Sequence, residues 1–320
     1  MKTKQSVVSV QANARACERY AVAKKFLYTF LLLLLSGNTH ATLNIFACEP
    51  EWAALTQQLA GDKASVYTVT GALQDPHRVE ARPSLIAKAR RANLVVCTGA
   101  GLEAAGLPVV LRESGNSAVL PGSGGYFAAT HYVDMLEIPT RLDRADGDVH
   151  AEGNPHIQLD ARNFLPIADA LSKRLIQLDP ANTAFYQQQL ATFDQRWRSA
   201  IAKWEKQAAP LKGVAIIVQH RGFPYLNNWL GLKQVAELEP KPGMEPGAAY
   251  LGSVLSGLQQ HPARMVIRAA YQDARPSEWI AERAQIPAVL LPFTVGGTPQ
   301  ATDLFTTFDD TIQRLLAGLK

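Results

Sequence analysis

Short apolar runs alternate with helix-spaced apolar positions along most of the chain. Leu43–Cys48 reads as a buried strand, and Glu51–Leu59 as a helix with Trp52, Leu55 and Leu59 on one face. Ala64–Val69 is a second strand, Ser84–Arg90 a helix behind Pro83, and Asn93–Cys97 a third strand. This β-α-β-α-β order calls for a parallel sheet with helices on its faces. In such sheets ligands gather beyond the carboxyl ends of the strands. Residues 112–154 carry no comparable rhythm and read as loop-rich, with a turn at Pro121–Gly125.

Two helices follow. The first covers Leu159–Leu178, and the second runs from about Pro180 to Ala208, with Asp179 as its N-cap. Leu190, Phe193, Trp197, Ile201 and Trp204 recur at steps of three and four, so one long helix presents one apolar face. The α/β rhythm then returns. Strands are expected at Val214–Val218, Gln234–Leu238, Arg264–Arg268 and Ala288–Pro292, and helices at Phe223–Leu230, Ala249–Gln259, Pro276–Ala284 and Asp303–Leu316. The pattern predicts an α/β fold of two Rossmann-like lobes with parallel sheets, joined by a long rigid helix. The expected boundaries are an N-terminal lobe over residues 42–160, a helical region over 161–210 and a C-terminal lobe over 211–320.

The first 41 residues differ in kind. Lys24-Lys25 precedes the apolar run Phe26–Leu35, which is shorter than the roughly 20 residues a bilayer span needs. Thr39-His40-Ala41 offers small residues at a cleavage site, so a signal peptide cleaved after Ala41 is expected, and with it a periplasmic location. No Leu-x-x-Cys follows the apolar run, which argues against a lipid anchor. The leader also changes the charge picture. The whole chain has a formal net charge of +4, but the leader holds six basic residues and one acidic, leaving the remainder at −1. That gives no electrostatic case for nucleic acid. Of the three cysteines, Cys17 lies in the leader. Cys48 and Cys97 end two strand patterns, and form a disulfide if those strands are neighbours or stay as buried thiols if they are not.

The candidate chemistry lies in three histidines: Asp75-Pro76-His77, Asn154-Pro155-His156, and Val218-Gln219-His220 at the end of an apolar strand. Proline fixes its own φ and restrains its neighbour, so two of the imidazoles leave tight turns at a set angle. Neutral imidazole is the commonest metal ligand, and three from separate segments suit zinc. All three can face one cleft between the lobes. His131, His150 and His261 have no such placement. The acidic stretch Asp143–His150 reads as a solvated loop or as a metal-capture segment over the site. Gly99-Ala100-Gly101 lacks the spacing of a dinucleotide turn.

With these residues in view, the chain resembles the periplasmic metal-binding proteins of zinc- and manganese-uptake ABC transporters (cluster A-I). The resemblance runs over nearly all of residues 43–320. It rests on Asp75-Pro76-His77, Pro83–Lys88, Ala92–Val96 with Gly99–Glu103, and Asn154–Asp160 in that order. It implies no enzymatic activity. It implies instead a monomeric receptor that holds Zn2+ between its lobes on His77, His156 and His220 and passes it to a permease in the inner membrane. The sequence departs from the family where a carboxylate ligand precedes a proline after the last strand, because Leu291 precedes Pro292 here. Asp273 is the expected substitute, with Glu239, Glu51 or a water as alternatives. Imidazole donors without a sure carboxylate favour Zn2+ over Mn2+. The rival reading is an exported zinc hydrolase with a metal-bound water on the same three histidines, although no His-Glu-x-x-His motif supplies a base.

Overall fold

A computed structural model describes residues 42–143, 147 and 149–320. The signal peptide expected over residues 1–41, with its cleavage site after Ala41, lies outside the described residues. Thr42–Lys320 forms one compact unit built on two four-stranded sheets, each wholly parallel.

The first sheet comprises β1 (Leu43–Ala47), β2 (Ala64–Thr68), β3 (Leu94–Cys97) and β4 (Tyr126–Ala128), in the order β2-β1-β3-β4. Its helices are α1 (Pro50–Ala60), α2 (Pro83–Arg90) and α3 (Leu107–Ser114). The second sheet comprises β5 (Ala215–Val218), β6 (Lys233–Glu237), β7 (Met265–Ala269) and β8 (Ala288–Leu291), in the order β6-β5-β7-β8. With it go α6 (Pro224–Leu230), α7 (Ala248–Gly257), α8 (Ala274–Ala284) and α9 (Leu304–Ala317). Between the two sheets the chain runs through α4 (Phe164–Leu178) and α5 (Thr183–Ala208). Both sheets repeat one topology, and in each the first strand is central.

The central strands are largely apolar because both of their faces are covered. In β1, Ile45 and Ala47 join the main core while Phe46 packs into a separate outer cluster with Val95 and Leu85. In β5, Ile216 and Val218 turn to the main core and Ile217 to an outer cluster with Val266 and Ile280. Helix α5 closes the main core. At 1.5 Å per residue its 26 residues extend about 39 Å. Trp197 and Trp204 stack edge-on, with ring centroids 5.1 Å apart, and both pack on Phe308 of α9. Trp197 also donates its indole N–H to the Ala161 carbonyl at 2.7 Å. One aromatic cluster therefore ties the long helix to elements of both halves.

Two elements are unexpected: a helix mostly over residues to which the pattern assigns no element, and a strand inside the 112–154 stretch expected to be loop. Helix α3 lies between Gly106 and Gly115 and buries Leu107, Val110, Leu111 and Ser114. Strand β4 has only three residues and adds to the β3 edge. The expected helix starts also shift. Ile157–Leu159 and Ala161–Asn163 form separate 3-10 turns before α4, and Pro180–Asn182 forms another before α5. Asp179 does not cap α5; its carboxylate accepts from Asn182 Nδ2 and the Tyr186 hydroxyl. β1 and β3 are neighbours, and Cys48, the residue after β1, is joined in a disulfide to Cys97, the last residue of β3.

Candidate metal centre

His77 lies in the loop after β2, and His220 lies two residues past β5, so both stand beyond strand carboxyl ends. His156 follows the turn that leads towards α4. The two Pro-His turns use the same device. The Asp75 carboxylate accepts the His77 backbone N–H at 3.0 Å, and the Asn154 side-chain oxygen accepts the His156 N–H at 3.1 Å. Asp and Asn favour such turns because their short side chains reach the backbone two residues on. The second turn is anchored across the molecule: Asn154 Nδ2 donates to the Arg221 carbonyl at 2.8 Å, and the Tyr225 hydroxyl donates to the Asn154 carbonyl at 2.9 Å.

These elements bring His77, His156 and His220 together. Ring centroids are 5.2 Å apart for His77–His156 and 5.5 Å for each of the other two pairs. One ligand nitrogen from each ring lies within 4.8 Å of the other two. A tetrahedral zinc with Zn–N near 2.0–2.1 Å holds its nitrogens about 3.3 Å apart, so a small inward movement closes the set. Gly222 makes room for the rings. A Cβ there would meet His220 Cδ2 at 3.2 Å and His156 Cδ2 at 3.4 Å.

Two rings are oriented by carboxylates. His77 Nδ1 donates to Asp75 at 2.9 Å, and His220 Nδ1 donates to Glu239 at 2.7 Å. With the proton on Nδ1, Nε2 keeps its lone pair for a metal, which is the usual arrangement at imidazole sites. His77 Nε2 is buried and accepts no hydrogen bond among the described residues. Among the described residues His156 has no such carboxylate and its buried Nδ1 has no hydrogen-bond partner; its ring packs edge-on against Phe293 at 5.3 Å.

Charge follows the same layout. Burial, then the charges of His77, His220 and His150, hold the His156 imidazolium well below the usual histidine range. His156 is therefore neutral and ready to ligate. Burial opposes the charge on His220, but the Glu239 hydrogen bond and its negative charge outweigh this and raise its pKa. At Asp75 burial is likewise outweighed, by the bond and charge of His77, and its pKa falls.

The expected oxygen donors stand elsewhere. Asp273 lines the same cleft, of about 510 Å³, but caps α8 and forms an ion pair with Arg275; its carboxylate lies outside the convergent set. Glu239 serves His220. Glu51 is buried and accepts from the Thr294 hydroxyl at 2.5 Å. Leu291 is buried in the core, and the following Phe293 adopts a left-handed φ of 69° that presses its ring on His156. His131 and His261 are exposed on the surface. His150, set aside on sequence grounds, is the surprise: its ring centroid is 5.5 Å from that of His77.

Paired parallel sheets, a bridging helix and three converging imidazoles fit one class, which the family match shows: a metal-binding, substrate-binding protein of an ABC transporter. The chain belongs to the family of the zinc-uptake complex component A, periplasmic (ZnuA), whose model matches residues 45–318. It is similar to the manganese ABC transporter substrate-binding lipoprotein PsaA of Streptococcus anginosus, with 24% identity over 274 residues, 82% of this chain and 85% of that one. Among solved structures, a zinc-bound ZnuA deletion mutant matches with a TM-score of 0.73 at 23% identity, covering 88% of this chain and 99% of the other. The Ni2+ complex of FpvC from P. aeruginosa matches with a TM-score of 0.71 at 20% identity, covering 87% and 97%. The family consists of binding proteins, so the hydrolase reading falls and the chain is not an enzyme.

Proposed function

We propose that this protein is a periplasmic, monomeric receptor that captures Zn2+ on His77, His156 and His220 and delivers it to a permease in the inner membrane. The observation that carries the reading is the convergence of three imidazoles, two of them with Nδ1 held by a carboxylate. Such a set leaves one coordination position for a further donor.

The choice of zinc over manganese rests on donor chemistry. Manganese favours oxygen ligands and zinc favours imidazole. The relatives named for manganese pull the other way. Against them stand the absence, among the described residues, of any carboxylate from the convergent set and the apolar Leu291-Pro292-Phe293 stretch where the family resemblance places one. Release follows when the loops carrying His77 and His220 move apart, since each belongs to a different sheet.

Calorimetric titration of the metal-free protein tests the reading. One tight zinc site is expected, weakened by orders of magnitude in each of His77→Ala, His156→Ala and His220→Ala, with manganese failing to displace zinc. Unchanged binding in all three variants would refute it.

A further inference from the structure

We propose that His150 is the fourth imidazole of this site and takes the coordination position that Leu291 cannot fill. The inference rests on the three-histidine reading above and extends it.

Three observations carry it. First, the His150 ring stands as close to His77, at 5.5 Å between centroids, as the rings of the triad stand to each other. Second, His150 is oriented in the manner of His77 and His220. Its Nδ1 lies 3.1 Å from the Ala100 carbonyl, and because a carbonyl oxygen only accepts, Nδ1 carries the proton. That tautomer places the lone pair on Nε2, as it does in the two rings held by carboxylates. Third, His150 lines two of the three openings at the triad; the third, between His77 and His220, it does not reach. It shares one with His156 and His220 and another with His77.

The carbonyl that holds His150 is itself the product of an unusual turn. Gly99, Ala100 and Gly101 all have positive φ, at 88°, 51° and 78°. Such a run is costly for a residue with a side chain, so Ala100 is held there by its surroundings. The buried Glu103 carboxylate does part of this by accepting the Thr98 N–H at 2.8 Å and the Gly99 N–H at 3.3 Å. A Cβ on Gly99 would come within 2.7 Å of Thr130 Oγ1, so the chain packs too closely there for any other residue. The Gly-Ala-Gly turn thus presents one carbonyl to one imidazole.

His150 lies just outside the triad, and no nitrogen of it joins the set within 4.8 Å. Ligation therefore draws the ring inwards towards the bound ion. Four imidazoles make a site with no oxygen donor, which strengthens the preference for zinc, copper or nickel over manganese.

The test compares His150→Ala with the parent in the full protein, using zinc, manganese and cobalt as probes. Zinc affinity from chelator competition should fall by at least about tenfold, the lower end of what loss of a supporting partner costs such sites. Manganese affinity should change little. The visible absorption of the Co2+ form should shift as a nitrogen donor gives way to water, and X-ray absorption of the zinc form should count one imidazole fewer. Unchanged zinc affinity would overturn the proposal, as would a weakened site whose cobalt spectrum matches the parent, since His150 would then act only by positioning. Either result leaves the triad reading standing as long as His77→Ala still abolishes binding, so the two can fail separately.

Discussion

Glu239 is a side chain whose removal should weaken the proposed metal site without removing a proposed ligand. Its Oε2 accepts His220 Nδ1 at 2.7 Å and the Gly243 N–H at 2.8 Å, so the carboxylate is held from two sides. Both partners are shielded, with side-chain exposures of 9% for His220 and 15% for Glu239. Loss of such a supporting partner costs about 10–100-fold in metal affinity, or about 1.4–2.8 kcal/mol. The same carboxylate also stabilises a proton on His220, whose pKa lies above the ordinary histidine value. In the parent, zinc must displace that proton below the raised pKa, and affinity falls as pH drops through it. Glu239→Ala lowers this pKa and relieves the competition. The deficit should therefore be full at pH 8 and smaller at pH 6. Glu239→Gln, which keeps an acceptor but loses the charge, should fall between parent and alanine. Zinc affinity measured by chelator competition at the two pH values reads both effects. Equal affinities for parent and Glu239→Ala at pH 8 would show that the carboxylate does not orient His220.

Further outcomes follow from the packing and the buried acids. Burial lifts the Glu51 carboxyl from its ordinary 4.5 to about 7, so the folded state holds that proton more tightly than the unfolded chain and loses stability as pH rises from 4.5 to 7. Glu51→Gln should stabilise the metal-free protein at pH 8, by up to about 3 kcal/mol, and much less at pH 5, as read from urea denaturation; a uniform change at both would contradict this. The Cys48–Cys97 disulfide links residues 49 apart, a loop whose closure in the unfolded state is worth about 4 kcal/mol. Cys48→Ala/Cys97→Ala should lose most of that in the same assay, and a loss under 1 kcal/mol would mean the crosslink does little. Trp197 is fully buried among Phe164, Phe193, Trp204, Phe305 and Phe308, and Trp197→Ala should cost about 3–5 kcal/mol in denaturation measurements. A cost below 2 kcal/mol would show that the cluster repacks.

Much of this architecture is written in local pattern. The central strands announce themselves because a strand covered on both faces must be largely apolar, and Ile45, Val96, Ile217 and Val266 are all fully buried. The long helix is legible from the spacing of Phe193, Trp197 and Trp204, which share the core with both sheets. His77 and His156 are legible because an Asx side chain and a proline build the turn within three residues. What local pattern does not carry is contact between distant segments. β4 is three residues long and acquires its identity from the β3 edge. Helix α3 has helical spacing of its own, at Leu107, Val110, Leu111 and Ser114, and is hidden by the glycine-rich turns around it. The pairing of His220 with Glu239 spans β5 and β6, so Glu239 looks from sequence like a weak ligand when its contact is with a histidine. The place of His150 depends on a carbonyl fifty residues away. Asp273 illustrates the converse: an acidic residue near a strand end whose carboxylate is paired with Arg275, two residues on, a contact its place in the sequence does not announce.

The most direct measurement is the crystal structure of the zinc-loaded protein with anomalous diffraction recorded on either side of the zinc absorption edge. A single strong anomalous peak within about 2.0–2.2 Å of one nitrogen each of His77, His156 and His220 is the predicted result. A peak elsewhere, or one whose neighbours are carboxylate oxygens such as those of Asp273, would contradict it.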